Sequence, residues 1–307
     1  MVRVDGGLPV EIQRSGERFA DVGGLSLCFE SFGDPTDETV LLVMGLGLSM
    51  LYWREEFCIE LAGRGFHVVR FDNRDVGRSS AVSGPGISGW QFLRRRARPV
   101  YTLGDMADDA AGLLDAIAVG SAHVVGVSLG SFIAQEVAIR HPERTRSLVS
   151  IMGRPGDGRT GRVARRLIPL FLRPAPRTPD GAVEDLVRAF RRIGSAGRTE
   201  ADDADVRELT RQSMQRETAN GSGRQLAAAV GERDRTGDLQ GLEVPALVMH
   251  GEKDRVILPS GGVATAAAIP GAELLLVPGM GHDLARWVWP ELLAGIERTA
   301  RRASHRL

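Results

Sequence analysis

The sequence predicts an α/β fold built on a mostly parallel central sheet with helices on both faces. Short apolar runs typical of buried strands alternate with longer helical patterns along most of the chain. Glycine turns separate the two kinds of segment, as at Gly45-Leu46-Gly47 after the run at residues 40–44. This alternation favours a parallel sheet, because each crossover helix lies over one face of the sheet.

The predicted elements follow one another in a regular order. Two extended segments at residues 19–22 and 25–31 form an antiparallel edge pair. Further strands are predicted at residues 40–44, 67–71, 122–127, 148–152, 246–250 and 273–277 from their short apolar runs. Helices are predicted at residues 53–64, 102–117, 129–140 and 290–300.

Residues 155–239 interrupt this order, because they contain no strand-like apolar run. Helical pieces at residues 164–172 and 183–193 carry apolar side chains that need burial. A flexible loop is the alternative, but the helical periodicity favours an inserted helical lid, here called the cap. Residues 1–154 and 240–307 then form the α/β core.

The composition of the chain indicates which binding partners and which cellular compartment to expect. The charges of the 39 basic and 39 acidic residues cancel, so the chain has no net charge that would attract it to nucleic acid or to an anionic membrane. No stretch reaches the roughly 18 apolar residues of a membrane span, and residues 1–11 lack the pattern of a secretion signal. We expect a cytoplasmic protein without stable membrane insertion and with Cys28 and Cys58 as buried free thiols. The oligomeric state stays open, with a homodimer as one option.

A candidate nucleophile lies in Gly126-Val127-Ser128-Leu129-Gly130, the one G-x-S-x-G pattern in the chain. The pattern follows a predicted strand and opens a predicted helix, which is where a nucleophile elbow belongs. Gly126 and Gly130 would let strand and helix pass closely, while the helix N-terminus offers the Leu129 N–H to an oxyanion. The alternative makes Ser128 an ordinary helix N-cap.

A candidate base and acid follow downstream. Asp254 comes directly after the strand predicted at residues 246–250, and His282 comes after the last strand. The order Ser, Asp, His is the one expected of this elbow type. Weaker candidates for the base are His67, His123, His141, His250 and His305, and the rival acids are Glu252 and Asp157. We interpret Asp283 as a solvated neighbour of His282.

The second oxyanion donor should come from the turn after residues 40–44, since that turn opens at the same edge of the sheet. We predict the Leu46 N–H, with Gly45 as a supporting residue. A dinucleotide-binding loop is the alternative, but Met50 replaces the third glycine that such a loop needs. The sequence contains no H-E-x-x-H, paired-cysteine or P-loop pattern, so we expect neither a metal nor another cofactor.

Together these residues resemble the α/β-hydrolase family. The landmarks are residues 41–45, Asp72-Asn73-Arg74, residues 126–130, Asp254 and Gly281-His282, in that order. The Met-Gly and Asp-Asn-Arg turns are most similar to the branch of aclacinomycin methylesterases and actinobacterial carboxylesterases and lipases. Met44 and Asp75 depart from the pattern of many members, which have His and Gly there. The resemblance implies an α/β-hydrolase fold with an inserted cap.

The sequence therefore predicts a serine hydrolase that cleaves a small, largely apolar carboxylic ester through an acyl-enzyme on Ser128, His282 and Asp254. Another reaction on the same triad is the first alternative: hydrolysis of a thioester, a lactone or a carbon–carbon bond, or cofactor-free perhydrolysis. A ligand-binding protein of this fold with negligible turnover, similar to some hormone receptors, is the second.

Overall fold

A computed structural model describes residues 12–94, 97–171, 178–217 and 221–304. Its centre is an eight-stranded sheet with the strand order β1-β2-β4-β3-β5-β6-β7-β8. The strands are β1 Arg18–Val22, β2 Leu25–Phe32, β3 Glu38–Val43, β4 Phe66–Phe71, β5 Ala122–Val127, β6 Thr145–Ile151, β7 Ala246–Gly251 and β8 Glu273–Val277. Strand β1 pairs antiparallel with β2, and β2 with β4, while the other pairs are parallel. The predicted sheet and its antiparallel edge pair are confirmed.

Helices precede, connect and follow these strands. They are α1 Glu55–Ala62, α2 Gly89–Leu93, α3 Leu103–Ala116, α4 Leu129–Arg140, α5 Ile168–Phe171, α6 Pro179–Ile193, α7 Glu200–Arg216, α8 Ser222–Val230, α9 Thr236–Leu239, α10 Ser260–Ala268 and α11 Trp289–Ser304. Helices α2, α7, α8, α9 and α10 were not predicted. Within the described ranges, no helix is both long and apolar enough to cross a bilayer.

Two strands begin two or three residues earlier than predicted. Strand β3 already pairs with β4 at Glu38 and Thr39, and β6 pairs with β5 from Thr145 onward. Backbone hydrogen bonding extends to these polar residues at the amino edge of the sheet, whereas an apolar pattern marks only the buried part of a strand.

The described part of the cap consists of helices and loops. Its predicted first helix is divided into a 3₁₀ turn, Arg165–Leu167, and α5, and residue 172 lies outside the described residues. Pro169 explains the division, since proline has no N–H to continue the helical hydrogen bonds. The predicted second helix is α6, which begins four residues earlier than expected, after the N-cap Thr178.

Apolar side chains cover both faces of the sheet. On one face, α3 and α4 pack residues such as Met106 and Phe132 against the strands. On the other, α1 and α11 contribute residues such as Phe57 and Leu292. Strand β5 lies between β3 and β6 and is buried along its whole length, which explains its continuous apolar run. Cys28 and Cys58 are buried free thiols, as predicted.

Helix α8, in the segment predicted to form the cap, is bonded to the core through Asp75, one of the two residues that depart from the pattern of many family members. Its fully buried carboxylate receives the Nε and Nη2 groups of Arg224, each at 2.8 Å, and the hydroxyl of Tyr101 at 2.7 Å. The Asp75 carbonyl also accepts the Gly221 N–H at 2.8 Å. A bidentate pair with a buried carboxylate fixes both the position and the orientation of the arginine side chain. The start of α8 is therefore held against Asp75.

The turn from β5 into α4 depends on two close backbone contacts. A Cβ on Gly126 would lie 2.0 Å from the carbonyl oxygen of Gly130, and a Cβ on Gly130 would lie 2.1 Å from that of Val43. Both distances are far below van der Waals contact with rigid backbone, so only glycine fits. These contacts set how sharply the chain reverses at Ser128.

Replacing Gly126 by alanine should lower the free energy of unfolding by about 3 kcal/mol, the upper end of overpacking effects, because the Gly130 carbonyl cannot move without displacing α4. Urea denaturation followed by circular dichroism measures this change. Gly120→Ala is the matched control, since nothing lies within 4 Å of a Cβ there, and its stability should stay within about 0.5 kcal/mol of wild type. Equal stabilities of the two variants would contradict the assigned role of Gly126.

Candidate active site

Ser128 lies at the apex of the turn between β5 and α4. Its backbone adopts φ 55° and ψ −119°, a conformation that residues other than glycine rarely adopt. The Ser128 N–H donates to the Ile151 carbonyl at 2.9 Å, and its carbonyl accepts the Ser131 hydroxyl at 2.6 Å. The Ser128 side chain does not cap α4, so its hydroxyl is free to face another group.

That group is the imidazole of His282, in the loop after β8. Its Nε2 lies 2.9 Å from Ser128 Oγ, and its Nδ1 lies 2.7 Å from Asp254 Oδ2. Both ring nitrogens therefore have a partner, and the carboxylate favours the tautomer with the proton on Nδ1. The structure brings together Ser128, His282 and Asp254, which are far apart in the sequence.

Asp254 is fully buried in the loop after β7. Its Oδ1 accepts the backbone N–H groups of Val256 and Ile257, at 2.9 and 3.0 Å. Burial by itself raises the pKa of Asp254, but the charge on His282 and the hydrogen bonds from His250 and His282 outweigh burial and hold the pKa well below its usual range. The carboxylate therefore stays ionised when it faces His282.

Among the other candidate bases within the described residues, only His250 contacts Asp254. Its Nε2 is 2.8 Å from the Ile257 carbonyl and 3.4 Å from Asp254 Oδ2, whereas Ser128 Oγ has His282 as its partner. The remaining described histidines have partners elsewhere: Thr39 for His67, Ser147 and Glu38 for His123, and Asp108 for His141. His305 lies outside the described residues.

The rival acids are not near His282. Glu252 is exposed to solvent, and Asp157 accepts hydrogen bonds from Arg159 and Thr160 in its own loop. Within the described ranges, no group of three or more His, Cys, Asp or Glu side chains is arranged to hold a metal ion.

The two predicted oxyanion donors flank Ser128. Leu129 follows it directly at the first position of α4, and Gly45 approaches from the end of β3, where a Cβ would lie 3.4 Å from Ser128 Cβ. Leu46 borders the same cavity as Ser128 and His282. Neither the Leu46 N–H nor the Leu129 N–H has an acceptor among the described residues, so both are available to a ligand oxygen.

The prediction for Asp283 is wrong, because this side chain is buried and hydrogen-bonded to the cap. Its Oδ1 accepts the Ser195 N–H at 2.9 Å and the Ser195 hydroxyl, and its Oδ2 accepts Arg198 Nη1 at 3.1 Å. Sequence reading placed Asp283 in solvent because its partners are some 85 residues away along the chain.

The loop that carries His282 is joined to the cap at further points. The His282 N–H donates to the Ile193 carbonyl at 2.7 Å, and the Gly281 N–H donates to the Ser195 hydroxyl at 3.0 Å. The Ala196 N–H donates to the Gly279 carbonyl at 2.8 Å. His282 is thus held by Asp254 on one side and by the end of α6 on the other.

A cavity of about 310 Å³ opens beside Ser128 and His282. Its walls are mainly apolar and come from both the core and the cap, for example Met44, Leu48, Leu186, Phe190 and Leu209. Such a volume lies at the small end of the range for ligand sites, about 300–1,000 Å³.

The charged side chains that border the cavity all have partners, in ion pairs or, for Asp202, in hydrogen bonds. They are Arg54 with Asp205, Arg286 with Glu56 and Asp205, Arg198 with Asp283 and Asp203, and Asp202 with the N-cap Thr199. A buried or partly buried charge that already has a partner offers little to an ionic ligand. The cavity therefore suits a neutral molecule.

Part of the chain is similar in sequence to the rhodomycin D methylesterase DauP of Streptomyces sp. (strain C5). The two are 40% identical over 129 residues, which are 42% of this chain and 39% of DauP. The chain thus spans about two fifths of the length of this curated relative. The similarity agrees with the predicted resemblance to a branch of methylesterases and carboxylesterases.

Solved structures share the fold over nearly the whole chain. The esterase RhEst1 from Rhodococcus sp. ECU1013 superimposes with a TM-score of 0.70 at 21% identity, covering 94% of this chain and 99% of that protein. The enol-lactonase from Burkholderia xenovorans LB400 gives a TM-score of 0.69 at 21% identity, covering 94% and 100%. At these identities the likeness shows the fold alone.

A family model for the alpha/beta hydrolase fold matches residues 38–285. The match covers most of the chain and includes Ser128, Asp254 and His282. It agrees with the sheet order, the tight turn at Ser128 and the landmarks read from the sequence. The chain belongs to the α/β-hydrolase fold family.

Proposed function

We propose that this protein is a serine hydrolase that cleaves a small, largely apolar carboxylic ester. The observation that carries the proposal is the continuous hydrogen-bonded series from Ser128 Oγ through His282 to Asp254 at the wall of a mainly apolar cavity. A hydroxyl, an imidazole and a buried carboxylate in this order are the groups that acyl transfer needs.

The reaction begins when Ser128 Oγ attacks the acyl carbon and His282 Nε2 accepts the hydroxyl proton. Asp254 stabilises the resulting imidazolium, and the N–H groups of Leu46 and Leu129 donate to the tetrahedral oxyanion. His282 then gives the proton to the leaving alkoxide, which departs as the alcohol and leaves an acyl-enzyme. Water, deprotonated by His282, attacks this ester and releases the acid, and the proton returns to Ser128.

Two observations support the choice of substrate. The cavity has apolar walls, and its bordering charges are already paired, so a neutral acyl group fits better than an ionic one. The name of DauP identifies it as a methylesterase, which supports a small alcohol such as methanol as the leaving group.

In the proposed function the cap is a second structural unit that forms part of the substrate cavity. We assign residues 155–239 to the cap and residues 1–154 and 240–307 to the catalytic core. Helices α6 and α7 supply Leu186, Phe190, Val206 and Leu209 to one wall of the cavity, so the cap sets the length and shape of the acyl group that is accepted.

Ser128→Ala should abolish covalent labelling by a fluorophosphonate probe and reduce kcat for a p-nitrophenyl ester by about 10⁶-fold, because no other group forms the acyl-enzyme. Stopped-flow absorbance and labelling followed by mass spectrometry measure the two effects. Labelling of wild type and variant at equal rates would refute the proposal. A single burst of p-nitrophenol without further turnover in the wild type would instead indicate a ligand-binding protein.

Asp254→Asn should lower kcat by about 10⁴-fold with little change in KM, because an amide no longer fixes the Nδ1–H tautomer of His282 or stabilises its charged form. Glu252→Gln is the matched control, since Glu252 is exposed and contributes no contact to His282, and its kcat should stay within about twofold of wild type. Steady-state hydrolysis of p-nitrophenyl butyrate measures both. Equal effects of the two substitutions would remove Asp254 from the mechanism.

A further inference from the structure

The turn that follows β3 is held by hydrogen bonds at several backbone groups. The Met44 carbonyl accepts Asn73 Nδ2 at 2.9 Å, and the Gly45 carbonyl accepts the Leu48 N–H at 3.4 Å. The Gly47 N–H donates to Gln225 Oε1 at 2.8 Å. Among the N–H groups of residues 46–48, that of Leu46 has no acceptor within the described residues, so it is left for a ligand.

Because a peptide unit is planar, these hydrogen bonds also determine the direction in which the Leu46 N–H points. The Gly45 carbonyl and the Leu46 N–H belong to one trans peptide unit and point to opposite sides. When the Gly45 carbonyl faces Leu48, the Leu46 N–H must face the other way. The Gly45–Leu48 bond is long, at 3.4 Å, so it holds this peptide weakly, and the orientation depends on what fixes the following residues.

Gln225, in the cap, holds the residues that follow Leu46 through its bond to the Gly47 N–H. Its side chain is fully buried in the first turns of α8, and both ends of its amide are bonded, since Nε2 donates to the Arg74 carbonyl at 2.8 Å. Helix α8 also packs directly on the turn, because a Cβ on Gly47 would lie 3.0 Å from Ser222 Cβ. Gly47 itself has φ +66°, a conformation that glycine adopts readily but does not enforce, so the hydrogen bond to Gln225 is what holds this part of the turn.

We propose that Gln225 is a positioning residue for the oxyanion site: by binding the Gly47 N–H from the cap, it holds the Leu46 N–H in the direction that a tetrahedral oxyanion requires. The inference rests on the proposed function and adds to it a cap residue that acts on the chemical step. It also means that the oxyanion site is complete only when α8 is docked, because one of its supports comes from the cap.

The test compares Gln225→Met, which keeps the side-chain length but neither polar group, with wild type. The kcat for p-nitrophenyl butyrate should fall about 10- to 50-fold, part of the effect of losing a whole oxyanion donor, with KM changed by less than about threefold. Trifluoromethyl propyl ketone, which Ser128 converts to an anionic hemiketal, should bind more weakly by the same factor as kcat falls. Butyl p-nitrophenyl ether, which fills the cavity without a carbonyl, should bind as it does to wild type.

Gln212→Met is the matched control. It makes the same substitution at an exposed position of α7, where Gln212 bonds to Glu208 of its own helix, so the ratio of the two inhibition constants should stay at the wild-type value. If Gln225→Met weakens ketone and ether equally, or changes neither, the positioning role is overturned.

Gln225→Glu decides between the outcomes if the methionine variant is insoluble: burial favours the neutral carboxylic acid, whose carbonyl oxygen can accept the Gly47 N–H while its O–H donates to the Arg74 carbonyl. Its inhibition constant for the ketone should stay within about fivefold of wild type, and a loss of 10-fold or more, as predicted for methionine, would overturn the proposal. Wild-type protein that neither hydrolyses the ester nor binds the ketone would refute the proposed function itself, a result that is independent of the Gln225 variants.

Discussion

The backbone conformation of Ser128 is the constraint on which the rest of the site depends. A serine with φ 55° is strained, and it persists because β5 is hydrogen-bonded on both sides and α4 packs against Gly126 without a Cβ between them. The strain turns the hydroxyl out of the helix-capping position and toward His282. It also places the first N–H of α4 beside the same hydroxyl, so one turn supplies two groups of the proposed mechanism, the nucleophile and an oxyanion donor.

The other parts of the site are held against this turn by bonds that come from two directions. Core residues supply Asp254 behind His282 and Asn73 behind the end of β3. Cap residues supply the Ile193 carbonyl to the His282 backbone and Gln225 to the Gly47 backbone. The polar groups next to the reacting atoms therefore have bonded neighbours in both units, which reduces the reorganisation needed when charge develops.

Much of this arrangement could be predicted from the sequence, because the strands and the residues that follow them are marked by patterns within short segments of the chain. Buried strands such as β5 are short apolar runs that end at glycine, and the triad residues follow such strands at the carboxyl edge of the sheet. Helix α7 was missed because its surface is largely charged, although Thr199 and Asp202 form a capping box that marks its start. Asp283 and Gln225 could not be placed, because their bonds join segments that only the folded chain brings together.

The hydrogen bonds between the end of α6 and the loop of His282 have a consequence for the evolution and redesign of the protein. Exchange of the cap between relatives is an obvious route to a new substrate range, but a transplanted cap brings its own partner, or none, for the His282 backbone and for Asp283. A chimera therefore needs residues 279–283 from the same donor as its cap. Under the proposed mechanism, substrate choice and proton transfer are therefore inherited together, and recombination at the cap boundaries alone separates groups that have to be matched.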